Sequence, residues 1–133
     1  MYYFAYGALL SRKVMVGLAA SAKARQSVTL SHYRLVFSGW SRVFHGGLAT
    51  LKPVRGERVK GGLYEIDDVS LRKIDQYLDA PRTFVQLKVQ VNTESGESFE
   101  ALTYVRARAE EESKPSPEYL AMIQQGYRDW ELL

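Results

Sequence analysis

Met1-Tyr2-Tyr3-Phe4-Ala5-Tyr6-Gly7-Ala8-Leu9-Leu10-Ser11 is an aromatic, strand-forming run that breaks at a glycine and restarts at a helix-capping serine. It reads as a strand over Met1–Tyr6, a tight turn over Gly7–Leu10, then a helix. A turn of this kind aims several backbone N–H groups at one spot, and a helix start favours an anion there. The small residues Gly7 and Ala8 leave room for a ligand carboxylate to approach the main chain. An ordinary strand-to-helix turn has the same pattern, so the segment alone does not decide function.

Reading outward, Ser11 caps a short helix to about Gly17, with Val14 and Leu18 as its apolar edge. Partial alternation over Gln26–Gly39 predicts a long strand that bends near Ser31–His32. Leu48–Leu51 is expected to be a short strand ended by Pro53 and a turn at Gly56. Arg58–Ile66 reads as a separate strand, in which Gly61-Gly62 marks a bulge or a close backbone approach. Asp67 or Asp68 caps a helix running to about Asp79, with Leu71, Ile74 and Leu78 on its inner face and Pro81 as its stop. Thr83–Asn92 and Ser98–Arg106 form a hairpin through Glu94–Glu97. Ala109–Ser116 is charged and reads as a surface loop, and Ser116-Pro117 opens a last helix to about Trp130. Five or six strands with three helices predict an α+β fold, a curled mixed sheet or partial barrel, in one domain spanning residues 1–133.

Composition narrows the classes. At 133 residues and 46% hydrophobic content the chain can bury one core but not two, and 25% charged residues keep it soluble. Cysteine is absent, which excludes disulfides and thiol chemistry; a metal would need His or carboxylate ligands, and no metal site is expected. No apolar run approaches the ~20 residues that span a bilayer, and the start lacks the basic leader of a signal peptide, so no membrane association and a cytoplasmic location are expected. The net charge of +3 comes from dispersed basic residues, so nucleic acid is not an expected partner. Tyr127 and Trp130 would either cover the barrel or serve a dimer contact, leaving monomer or homodimer open.

Few residues suggest chemistry. His45, beside Gly46 and Gly47, could act on a ligand for which the glycines leave room, although such a histidine more often satisfies a loop. Asp75 and Asp79, spaced i and i+4, would share one face of their helix. Neither a Ser-His-Asp order nor a phosphate-binding loop, an HExxH helix or a dinucleotide fingerprint is present.

Taken in order, these segments resemble the γ-glutamylcyclotransferase family, including its AIG2-like and γ-glutamylamine cyclotransferase relatives. Tyr6-Gly7-Ala8-Leu9-Leu10 is similar to the family's Tyr-Gly-Ser-Asn-Leu loop. His45–Leu51, Gly61–Tyr64, the helix with Ile74-Asp75, and Pro115–Tyr119 with Gly126 fall where the family has counterparts, and the likeness extends to about Leu132. The resemblance implies a small mixed, partly closed β-barrel with flanking helices, and a pocket at the barrel end beside the Tyr-Gly loop. It also implies a small γ-glutamyl ligand, cyclised to 5-oxoproline with release of the attached amine, in glutathione metabolism and without cofactor or metal. Tyr6, Gly7, Ala8, Leu9 and Leu10 would then bind the substrate, backbone donors taking its α-carboxylate.

The chain departs from the family where the chemistry should lie. The family's helix carries a catalytic glutamate as Leu-Asp-x-x-Glu-Gly, but Ile74-Asp75-Gln76-Tyr77-Leu78-Asp79 places Leu78 at that position. Asp79 is the nearest stand-in acid and Glu65 a more distant one. In the loop, Ala8 and Leu9 stand where the family has serine and asparagine. The alternative is a non-catalytic binding module of the same fold, its pocket made more apolar by Leu78 and Leu9.

Overall fold

The computed structural model describes residues 1–133. In chain order its elements are β1 (Tyr2–Ala5), a 3-10 turn (Ala8–Leu10), α1 (Arg12–Leu18), β2 (Lys23–Ser41), β3 (Gly46–Glu65), α2 (Asp68–Tyr77), β4 (Phe84–Asn92), β5 (Ser98–Arg106) and α3 (Pro117–Asp129). The five strands close in the order β1-β3-β2-β4-β5. β1 pairs antiparallel with β3, placing Phe4 opposite Leu63. It meets β5 in parallel through Tyr3 and Leu102, which makes the sheet mixed and seals it. The expected mixed barrel with flanking helices therefore forms, and it closes completely rather than in part. Closure removes the free edges that an open sheet would have to protect.

The largest departure from the sequence reading lies in β3. Leu48–Leu51 and Arg58–Ile66 were expected to be two strands, yet Gly46–Glu65 is continuous, with Pro53 opposite Tyr33. The break is absorbed as a bend. The register shifts between Ser31 and Tyr33, His32 and Gly56 both take positive φ (68° and 87°), and the Gly56 amide donates to His32 Nδ1 at 3.2 Å. A bulge of this kind coils a long ribbon tightly enough to wrap a small barrel.

Inside, Phe4, Leu63, Val91 and Tyr104 are fully buried, with Leu10, Met15 and Ile74 packed from the turn and helices. Thr103 Oγ1 donates to the Phe4 carbonyl at 2.8 Å across the β1–β5 seam. Gly61 and Gly62 mark close approaches, as expected. A Cβ on Gly61 would lie 2.3 Å from the Ala5 carbonyl oxygen, and one on Gly62 would lie 2.5 Å from the Trp130 ring.

Trp130 is buried, stands edge-on to Tyr64 at 5.2 Å, and donates from Nε1 to the Leu10 carbonyl at 2.8 Å. Tyr127 beside it is half-buried, so both aromatics serve to cover the barrel. Gly126 lets α3 cross directly behind the 3-10 turn, since a Cβ there would sit 2.7 Å from the Ser11 nitrogen. The segment from Ala107 to Ser116 is largely exposed, as a loop should be, but its backbone is tied down. Gly39 and Gly47 donate to the carbonyls of Glu111 and Lys114, and Ser113 donates to that of Phe37, at 2.9–3.0 Å. It forms a strap across the open end of the β2–β3 hairpin.

Asp67 caps α2, accepting from the Ser70 amide at 2.8 Å. The helix stops at Tyr77, two residues short of the expected end. Leu78 is its C-cap, and Asp79 enters the left-handed region at φ 50°. Aspartate tolerates that conformation better than most side chains. The i, i+4 relation expected of Asp75 and Asp79 therefore does not exist, because only Asp75 is helical.

Candidate functional site

A cavity of about 540 Å³ opens at the barrel end where β1 meets the 3-10 turn, within the size range of small-molecule sites. Its walls are mostly apolar. Tyr6, Gly7, Ala8 and Leu9 form one side, Tyr77, Leu78 and Asp79 another, Tyr104 and Arg106 of β5 line the barrel face, and Tyr119 comes from α3. Trp40–Phe44, the tip of the β2–β3 hairpin, stands at the rim.

The turn closes on itself and differs from the sequence reading at one residue, Leu10. Its own hydrogen bonds use the amides of Leu10, donating to the Gly7 carbonyl at 3.0 Å, and Ser11, donating to that of Ala8 at 3.2 Å. The amides of Gly7, Ala8 and Leu9 are left outside those bonds. Leu10 is fully buried and absent from the cavity wall, so its role is to anchor the turn against Trp130. The helix begins directly after the turn, as expected: Ser11 is the N-cap of α1, and its Oγ accepts from the Val14 amide at 3.4 Å.

Asp79 is the one carboxylate on the wall. Its side chain is half-exposed, its Oδ2 accepts from Thr83 Oγ1 at 2.7 Å, and Arg82 Nε lies 3.8 Å away. Leu78 lines the same wall, half-buried, immediately before it. Asp75 is directed elsewhere. Its Oδ1 accepts from the Tyr104 hydroxyl and, at 3.1 Å, from Gln86 Nε2. The carboxylate thus stands behind Tyr104 and steadies a residue whose ring faces the cavity.

Four tyrosines of the cavity wall hold their protons tightly. Burial pushes Tyr3 and Tyr6 far above the ordinary phenol range, and Tyr104 likewise, where the Asp75 carboxylate adds to the effect. Tyr119 is pushed up to about 12, again chiefly by burial. These hydroxyls are donors at neutral pH. Tyr6 donates to the Tyr104 carbonyl. Tyr119 Oη accepts from the Ala49 amide at 3.0 Å, which leaves its own proton to offer to a ligand.

Two sequence candidates fall away. His45 is exposed, takes φ 57°, lies outside the cavity wall, and uses its amide to close the loop on the Ser41 carbonyl at 2.7 Å. The space that Gly46 and Gly47 provide is filled by the strap: a Cβ would come within 2.6 Å of Ser116 N and 2.7 Å of the Ser113 carbonyl oxygen. Glu65 is half-buried, lies outside the cavity wall, and is held below the usual carboxylate range by hydrogen bonding from Arg25. Nowhere do three His, Asp or Glu side chains gather in a metal-binding arrangement, and no helix is long and apolar enough to cross a membrane.

Sequence reasoning missed Arg106, Tyr104, Thr83 and the hairpin tip. Arg106 carries no motif; only its place at the C-terminal end of a strand could have flagged it. Tyr119 belonged to a segment read as structural, and its hydroxyl is visible at the cavity only once α3 is seen to cross the barrel.

Comparison with known proteins agrees with the fold. The family described as "Gamma-glutamyl cyclotransferase, AIG2-like" matches residues 3–130. The gamma-glutamylcyclotransferase of Homo sapiens is 26% identical over 132 residues, covering 96% of this chain and 70% of that protein. A solved structure described as gamma-glutamyl cyclotransferase superposes with a TM-score of 0.93 at 26% identity, covering 99% of this chain and 80% of the other. An AIG2-like protein from Mus musculus superposes at 0.65 with 27% identity, covering 90% and 81%.

Proposed function

This chain belongs to the gamma-glutamyl cyclotransferase, AIG2-like family, and on that premise we propose that it cyclises a γ-glutamyl compound to 5-oxoproline with Asp79 as the proton carrier. The observation that carries the reading is the placement of Asp79, the one wall carboxylate, hydrogen-bonded by Thr83.

The nucleophile belongs to the substrate. Its α-carboxylate rests on the amides of Gly7, Ala8 and Leu9, which holds the α-nitrogen close to its own γ-carbonyl and makes the attack intramolecular. Asp79 takes a proton from the α-ammonium, and the freed lone pair forms the ring C–N bond. Asp79 returns that proton to the departing nitrogen as the old C–N bond breaks, and the ring nitrogen loses its second proton to solvent. The Tyr119 hydroxyl is the donor placed to steady the negative charge on the γ-oxygen.

The test is release of 5-oxoproline from a panel of γ-glutamyl amino acids and amines. Wild type is expected to turn over at least one of them, and Asp79→Asn to lose about 10²–10⁴-fold in kcat. Equal rates would remove Asp79 from the mechanism. The second reading, a non-catalytic binding module, is favoured by Leu78 on the wall in place of the family's glutamate. Ligand binding by wild type without turnover of any compound would decide for it.

A further inference from the structure

We infer that Arg106 forms a second anion subsite, which selects γ-glutamyl compounds whose amine portion carries a carboxylate. The inference rests on the proposed function and adds to it a residue that reads the leaving half of the substrate.

Arg106 is held before any ligand arrives. Its amide donates to Thr50 Oγ1 at 2.9 Å, Nη1 donates to the Ser38 carbonyl at 3.2 Å, and the guanidinium lies over the Phe84 ring at 5.8 Å. Its side chain is 10% exposed. Yet Nε is buried with no partner, although an unpaired buried N–H is costly. Nε and Nη2 form one edge of the guanidinium, the edge a carboxylate engages with two parallel bonds. On that edge Nη2 has only Glu110, at 3.5 Å and 38% exposed. Glu110 is therefore a loose, displaceable occupant of half of a carboxylate site.

Position connects this edge to the reaction. Arg106 lines the main cavity and also an adjoining polar cleft of about 260 Å³, shared with Arg82, Thr83, Arg108 and Glu110. Thr83, common to both spaces, binds Asp79 through its hydroxyl and accepts from the Ala107 amide at 2.9 Å. A leaving nitrogen beside Asp79 thus directs its substituent towards Thr83 and Arg106. Three guanidinium groups, those of Arg82, Arg106 and Arg108, outnumber Glu110 and the Asp79 carboxylate beside Arg82 and favour an anion there, whereas a neutral amine would leave Nε–H unpaired.

γ-Glutamylalanine and γ-glutamylethylamide differ only by one carboxylate on the amine portion. Their dissociation constants are read from tryptophan fluorescence on rapid mixing, since Trp40 stands at the cavity rim. Wild type is expected to bind γ-glutamylalanine about 10–100-fold more tightly, the range of a hydrogen-bonded charge pair. Arg106→Gln should bring the ratio to within about twofold. Glu110→Gln, which frees the contested edge without touching Arg106, should raise it about two- to fivefold. Equal affinities in wild type would overturn the subsite while leaving the cradle intact. A ratio unchanged in Arg106→Gln, or, if that variant does not fold, unchanged in Glu110→Gln, would also overturn it. Binding of neither compound would overturn the proposed function and the subsite with it.

Discussion

Thr83 holds Asp79 twice: its hydroxyl donates to the Asp79 carboxylate at 2.7 Å, and its amide donates to the Asp79 carbonyl at 2.8 Å. Together these bonds fix both the backbone and the carboxylate of a residue that has just left a helix. If Asp79 carries the proton, Thr83 is its positioning residue. Thr83→Val removes the side-chain bond and keeps the amide. It is expected to lower kcat about tenfold with little change in KM, and Thr83→Ser should restore most of the rate. A Thr83→Val protein with wild-type kcat would dissociate the two residues.

Leu78 offers the complementary experiment. It is half-buried on the wall among apolar neighbours, so Leu78→Glu adds a carboxyl group whose pKa the surroundings would raise towards neutrality. Partial exposure keeps the stability cost to about 1 kcal/mol. We expect turnover to rise at least tenfold, with a pH profile distinct from that of wild type. Unchanged turnover in a folded Leu78→Glu protein would mean that the cavity lacks more than an acid.

Alkaline pH should act on stability through the cavity tyrosines. Tyr3, Tyr6, Tyr104 and Tyr119 all hold their protons more tightly when folded than the ordinary phenol value of 10.0. Above that value the unfolded chain releases protons that the folded chain keeps, so stability is full below pH 10 and falls as pH rises through 10 to 12. The melting temperature is expected to stay level from pH 7 to 9 and then drop steeply. Tyrosinate absorbance that developed below pH 9 without unfolding would show that one of these hydroxyls is not held neutral.

Binding should also be sensitive to the back of the turn. Gly126→Ala puts a methyl group 2.7 Å from the Ser11 nitrogen, and overpacking of this kind costs about 1–3 kcal/mol. Because the displaced turn carries Gly7–Leu9, affinity for a γ-glutamyl ligand should fall along with stability in urea titration. An alanine at 126 that lowered stability but left affinity untouched would show that α3 does not set the cradle's position.

What could be read in the sequence was mostly local. Ser11, Asp67 and Ser116 cap helices where their types and neighbours suggested, and the hairpin turn at Glu94–Glu97 falls between β4 and β5 with Gly96 at φ 95°. Pro53 misled because a proline inside a strand is rare, and the bulge that accommodates it is set by His32 on the partner strand. Leu10 was expected on the cavity wall and Arg106 was overlooked for one and the same reason. Leu10 turns away because Trp130, 120 residues later, takes its carbonyl. Arg106 faces the cavity because Ser38 and Thr50 hold it there. No window of neighbouring residues contains such information.

The parallel seam between β1 and β5 has a consequence for the order in which the molecule comes into being. Phe4 waits for Thr103, and Leu10 for Trp130, so the segment that forms the cradle is synthesised early but secured late. Contacts this distant along the chain slow folding, since long loops must close before they gain anything. A nascent or truncated chain that ended before α3 would display the Tyr-Gly turn without its support. The capacity to bind ligand should therefore arise in a single late step, when the last helix docks.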